Sequence, residues 1–255
     1  MCIFASHPTK LMKLSIMETG QVKLMGVVNV NGDSFFAESR AESAEDFISR
    51  VEALRERGIR LIDVGAVSSR PGAEYVGEAE EWRRLEPVLR IWAERFSDLE
   101  LSIDTFRSRI VKQAYDRVGR FIVNDISLGS EDPNLLGTVG FLGLPYVAMH
   151  RRGTFATMHD AWHYDDVTAE VLQYFRNFAA QADALDIDWI LDPGIGFSKS
   201  SEESLTLLRD LPRFRDEFHR PILVGVADKR ITKLVPQDEL HRLAVQGGAT
   251  IFRVH

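Results

Sequence analysis

The sequence predicts a single-domain α/β fold of the (β/α)8 TIM-barrel class, and three observations lead there. Eight short β-branched or apolar runs recur along the chain, amphipathic stretches separate most of them, and each run ends in polar residues. Repeated strand-then-helix units pack as a parallel sheet with helices outside it. The alternative is an open doubly wound sheet, but that more often has roughly five to seven strands and a glycine-rich first turn, whereas eight units close on themselves.

The strands are predicted at residues 24–28, 61–64, 101–103, 121–123, 146–149, 189–191, 222–226 and 250–254. Between them, residues 44–57, 78–95, 108–118, 167–185 and 201–218 carry apolar side chains at three- and four-residue spacing, and 134–141 reads as a shorter helix. The eighth unit does not fit as well. The stretch at 241–245 is too short to cross a barrel face, and no helix-forming stretch follows His255. The last helix is therefore expected to be absent, with residues omitted near Leu240 and past the end preferred over an incomplete barrel, because an uncovered parallel strand leaves apolar surface wet. Residues 1–20 read as an extension, and 21–255 as the barrel.

Composition bounds the function. Of 255 residues 45% are hydrophobic and 27% charged, and 31 Lys plus Arg against 38 Asp plus Glu leave a net charge of −7. No basic run is present to neutralise a phosphate backbone, which argues against a general nucleic-acid binder. Residues 1–14 are interrupted by His7, Pro8, Lys10 and Lys13, so they form neither a secretory core nor a membrane span. Cys2 is the single cysteine, which excludes a disulfide within the chain. A soluble, cytoplasmic protein is expected.

Barrel chemistry sits where strands end. Asp104, Asn124, Asp192 and Lys229 follow strands three, four, six and seven, and together they offer two carboxylates, an amide and an ammonium. A flat heterocycle with an amidine-like edge would be satisfied by that set. Taken singly, each Asp is equally a helix cap or turn residue; four at four strand ends are harder to dismiss. Arg70, Arg253 and His255, with Ser69, form a cationic set suited to a phosphate. The competing reading pairs Arg253 with a carboxylate and leaves His255 at a frayed end. Asn29 offers an oxygen to Mg²⁺, which binds substrate phosphate through few protein ligands, while Asn31-Gly32 is also a strong turn pair. Phe35, Phe36 and Phe197 lie on loops, placed either to stack on a planar ligand or to pack beneath the loops. His150, His159, His163, His219 and His241 lack metal spacing and read as structural or surface residues.

These blocks, in this order, resemble the dihydropteroate synthases of the pterin-binding barrel superfamily. The likeness runs from about Met25 to His255 and rests on residues 26–35, 62–73, 103–105, 124–126, Met149-His150, the Asp-Pro-Gly-x-Gly-Phe block at 192–197, Lys229 and the terminal Arg253-Val254-His255. It implies a transferase that condenses a hydroxymethyl-dihydropterin pyrophosphate with p-aminobenzoate, Mg²⁺-dependent and homodimeric. The pterin would be held by Asp104, Asn124, Met149, Asp192 and Lys229, and the pyrophosphate by Asn29 through Mg²⁺ with Ser69, Arg70, Arg253 and His255. The p-aminobenzoate would lie against Phe35, Ser69 and Phe197, where sulfonamides would compete. Asp104, Asp192, Lys229 and Arg253 would carry the catalysis.

The departures gather around the second substrate. Asn31-Gly32 stands where the family usually has Thr-Pro, Ser69 where it has Thr, Ala66-Val67 where it commonly has Gly-Glu, and Ala227-Asp228 where it has Ser-Arg. Glycine for proline loosens a loop, and Asp for Arg reverses a charge near an anionic site. Altered sulfonamide sensitivity is one expected consequence. A diverged pterin-binding homologue without synthase activity is the principal alternative. A superfamily methyltransferase using a folate methyl donor is the other, and the terminal Arg-Val-His and the Ser-Arg-Pro-Gly loop speak against it.

Overall fold

The computed structural model describes residues 22–30, 40–67, 75–160, 162–226 and 231–254. Eight parallel strands, β1 (Lys23–Asn29), β2 (Leu61–Gly65), β3 (Glu100–Asp104), β4 (Ile122–Asp125), β5 (Tyr146–Met149), β6 (Trp189–Asp192), β7 (Leu223–Val224) and β8 (Ile251–Val254), form one sheet. Its order is β6-β5-β4-β3-β2-β1-β8-β7, and an isolated parallel bridge between Leu191 and Ile222 brings the two ends together. The Leu191 N–H donates to the Pro221 carbonyl at 2.9 Å across that junction, so the ring closes as the (β/α)8 reading expects.

The helices are α1 (Arg40–Glu56), α2 (Glu78–Arg95), α3 (Ser108–Val118), α4 (Leu135–Leu142), α5 (Val167–Ala184), α6 (Ser201–Arg209), α7 (Leu211–Phe218) and α8 (Gln237–Gly247). None is long and apolar enough to cross a membrane among the described residues. Helix α2 begins with Glu78, Glu80 and Glu81 near the positive end of its dipole and buries Leu85, Val88, Leu89 and Trp92 on one stripe. Asp166 caps α5 by accepting from the Ala169 N–H, and Ser200 with Glu203 makes a reciprocal capping box on α6.

Three expectations need correction. The predicted helix 201–218 is two helices meeting at Asp210, because Pro212 in the first turn of α7 has no N–H to continue the ladder. The seventh strand is Leu223–Val224 rather than 222–226; Ile222 takes part by its single bridge. The helix before β8 is longer than 241–245. It runs for 11 residues, as many as α3, from a start set by Pro236 and the acidic first turn Asp238 and Glu239 to Gly248, whose φ of 99° ends it. Leu240 lies within this helix and is fully buried, and with Ala244 it makes the i, i+4 pair that seats the helix.

Strand alternation divides the interior in two. Outward residues such as Val28, Ile62, Val64, Ile103, Val123, Tyr146, Trp189 and Phe252 join the helices in the large core. The inward set, Met25, Leu61, Ile122, Val147, Ile190, Leu223 and Ile251, forms a separate cluster within the ring. Each such side chain contributes about 1.5–3 kcal/mol by leaving water. β3 supplies no apolar residue to this inner cluster, because its inward positions are Glu100, Ser102 and Asp104. Lys23 and Glu100 pair at the lower rim. Continuing the inward parity toward the strand ends, the lining becomes polar: Asn29, Asp63, Asp104, Asn124, Asp192 and Arg253.

Candidate active site

Register places the first half of this lining side by side. Asn29 pairs with Gly65, Gly65 with Asp104, and Asp104 with Asn124, so an amide, a carboxylate and a second amide share one level across β1 to β4. Gly65 keeps that row open. A Cβ there would lie 3.1 Å from the Asp104 Cβ. On the far wall Met149 pairs with Asp192, and Met149 packs with Ile126 and Met158 in an apolar patch against which Phe197 rests.

Arg253 reaches across from β8. Its Nε donates to Asp63 Oδ2 at 3.0 Å and its Nη2 to Asp104 Oδ2 at 3.3 Å. Asn124 Nδ2 donates to both oxygens of Asp63, at 3.2 and 3.1 Å, and Ser102 Oγ donates to Oδ1 at 2.8 Å. Arg253 is therefore paired with carboxylates, as the competing sequence reading has it, yet it keeps 28% side-chain exposure. Asp192 stands apart and accepts the Gly194 N–H through Oδ1 at 2.8 Å. Asn29 is half-buried at the end of β1. Phe35, Ser69, Arg70, Lys229 and His255 lie outside the described residues, as do Asn31-Gly32 and Ala227-Asp228.

The sequence matches the family model described as pterin binding enzyme over residues 25–255. The chain belongs to the pterin-binding enzymes. It is 36% identical to the dihydropteroate synthase of Escherichia coli, over 91% of this chain and 86% of that one. It is also 36% identical to a mitochondrial folate synthesis bifunctional protein of Arabidopsis thaliana, over 93% of this chain, and there it spans about half (47%) of the relative's length. Among solved structures, dihydropteroate synthase of Xanthomonas albilineans with 4-aminobenzoic acid superposes with a TM-score of 0.79 at 34% identity, covering 92% of this chain and 88% of that one. The same enzyme in complex with 7,8-dihydropteroate gives 0.76 at 31% identity, covering 92% and 87%.

In this pterin-binding enzyme the mouth is short of positive charge among its described groups. Burial and the neighbouring Asp63 charge push the Asp104 carboxyl up to about 7, against the pull of Arg253. Burial pushes Asp192 up to about 6, opposed by the Gly194 N–H and by the Lys199 charge. A ligand presenting N–H groups, or a developing cation, relieves both. The donor set fits Mg²⁺ in one respect: Asn29 offers a neutral oxygen at a strand end, and Mg²⁺ needs few protein oxygens when it keeps water and phosphate. Among the described residues no group of three or more His, Cys, Asp or Glu could hold a metal ion.

Two residues escaped the sequence reading. Asp63 is fully buried at the centre of the network; its signal was inward parity with Leu61 inside an otherwise apolar strand. Lys199 is also buried, and its Nζ donates to the carbonyls of His150, Gly194 and Phe197 at 3.2, 3.0 and 2.9 Å, binding the loop after β6 to the end of β5. Gly194 is required there: its φ is +69° and a Cβ would run into the His150 carbonyl oxygen. His150 itself faces outward, its ring 4.6 Å from Tyr174, and burial holds it neutral, well below its usual pKa.

Val67 lies buried against Val76 and Phe106. Where the family commonly carries glutamate, this chain has an apolar contact. Behind it Arg107 pairs with the buried Glu81 and lies over the Phe106 ring at 4.6 Å.

Proposed function

We propose that the barrel mouth carries out the dihydropteroate synthase reaction, joining 6-hydroxymethyl-7,8-dihydropterin pyrophosphate to p-aminobenzoate to give 7,8-dihydropteroate and pyrophosphate. The observation that carries it is the placement of Asp104, Asn124 and Asp192 around one mouth with Arg253 at its edge, in a chain of this family. Two raised carboxyls and an amide accept from the N–H groups of a pterin edge. Met149 underlies the ring, and Lys229 meets its carbonyl side.

Arg253, Arg70, Ser69 and His255 take the pyrophosphate, and Asn29 would hold Mg²⁺ against it. When bound, Mg²⁺ supplies charge neutralisation to the departing phosphate oxygens. As the methylene C–O bond breaks, its electron pair leaves with the pyrophosphate and positive charge spreads into the pterin. Asp104 and Asp192, desolvated in the barrel, stabilise that charge. The amine of p-aminobenzoate, held by Phe35, Ser69 and Phe197, forms the new C–N bond and gives up one proton.

The deciding experiment measures pyrophosphate release from the pterin substrate in Mg²⁺, with and without p-aminobenzoate. Release coupled to dihydropteroate formation is expected. Pterin binding without condensation would make the chain a diverged pterin binder, with the changes at Asn31-Gly32, Val67 and Asp228 as the place to look for another nucleophile.

A further inference from the structure

Asp63 is a buried carboxylate that none of the roles above uses. Its oxygens accept from three strands at once: from Ser102 on β3, from Asn124 on β4 and from Arg253 on β8. An ionised carboxylate only accepts, so the Asn124 group lying 3.2 and 3.1 Å from its two oxygens has to be the amide nitrogen. That sets the amide's flip. Oδ1 and the remaining N–H are left in a fixed order, away from Asp63. At Arg253 the same carboxylate takes Nε, leaving the terminal nitrogens to Asp104 and to an incoming anion.

The geometry points to Asp63 as a positioning residue for heterocycle recognition, one that sets which way round Asn124 presents its acceptor and its donor; this rests on the pterin reading above. A pterin offers an amino N–H beside an unprotonated ring nitrogen. An amide in one flip pairs with both, and in the other it opposes donor to donor and acceptor to acceptor. Inside a desolvated site the wrong flip costs more than two lost bonds, because the facing groups are left unpaired. Asp63 acts one layer below the substrate, through residues on two other strands.

The test uses the whole chain and two probes, 6-hydroxymethyl-7,8-dihydropterin followed by its fluorescence and inorganic pyrophosphate followed by calorimetry. Wild-type pterin binding is measured first; its failure would sink the synthase reading rather than the role of Asp63. In Asp63→Asn the facing group is an amide that fits either flip, so the pterin Kd is expected to rise at least tenfold while the pyrophosphate Kd stays within threefold or tightens. Pterin affinity within threefold of wild type, or equal weakening of both probes, overturns the proposal in favour of simple packing. The exchange variant Asp63→Asn with Asn124→Asp restores the hydrogen bond in reverse and with it the melting temperature, yet leaves only acceptors at 124. Its pterin affinity is expected to remain weak, and recovery would also overturn the proposal. Should the single variant be too unstable to assay, recovery of pterin affinity in the exchange variant still overturns the proposal.

Discussion

Arg253 Nη2 lies 3.3 Å from Asp104 Oδ2, so the cation proposed to face the pyrophosphate is also the counter-charge of the carboxylate proposed to face the pterin. The two half-sites are joined electrostatically. Anion binding and ring binding are therefore expected to respond together when either of these two residues is changed.

Replacing Arg253 by Met tests that link. Its charge opposes the rise of the Asp104 pKa, so its loss pushes that carboxyl above about 7. Pyrophosphate affinity is expected to fall at least tenfold, and the pH midpoint for pterin binding to move upward. Pterin fluorescence titrations across pH read the second effect; a stationary midpoint would show that the half-sites are separate.

On the proposed reading, pterin binding requires ionised carboxyls. Asp104 at about 7 and Asp192 at about 6 lie within the working range. Affinity is expected to be full above about pH 8, to fall as pH drops through 7, and to fall more steeply below 6, where each group costs up to about tenfold per pH unit. A flat affinity between pH 8 and 5.5 would rule out a proton-linked site.

Asp192→Asn exchanges function for stability. The folded carboxyl titrates near 6 and the unfolded one near 3.8, so the wild type carries no penalty below about pH 4, loses stability as pH rises toward 6 and stays level above that. The amide keeps an oxygen for the Gly194 N–H. Calorimetry is expected to show equal melting temperatures near pH 4 and a variant higher by a few degrees above pH 6, on a scale of about 2–4 °C per kcal/mol for a chain of this size. A constant difference at all pH values would assign the gain to something other than ionisation.

Two glycines make a paired test. Gly194→Ala drives a Cβ into the His150 carbonyl and undoes the Lys199 cage, so synthase activity is expected to fall at least a hundredfold. Gly137, within α4, has nothing within 4 Å of an added Cβ. Its alanine variant should gain about 0.5–1 kcal/mol from helix propensity, read as a higher melting temperature with unchanged turnover.

How far the sequence shows these features depends on the range of the forces involved. Helices Glu78–Arg95 and Ser108–Val118 coincide with their predicted spans, because their apolar stripes are local and strong. The nominated Asn29, Asp104, Asn124, Asp192 and Arg253 all have inward parity, since a polar residue closing an apolar strand has nowhere else to point in a barrel. Asp63 was hidden, for its partners Ser102, Asn124 and Arg253 are brought to it by register alone. Lys199 was hidden likewise: backbone carbonyls leave no trace in residue type. The break at Asp210 and the start of α8 follow from Pro212 and Pro236, which interrupt the backbone ladder without disturbing the apolar periodicity.

The bridge at Leu191 and Ile222 makes the barrel a clasped band rather than a uniform hoop. Among the described residues fewer ladder bonds join β6 to β7 than any other neighbours, and the clasp sits beside Asp192. The acid-lined arc from β1 to β6 is stitched along its whole length. A force that spreads the ring therefore meets its least backbone resistance at the clasp, one residue from a carboxylate of the mouth.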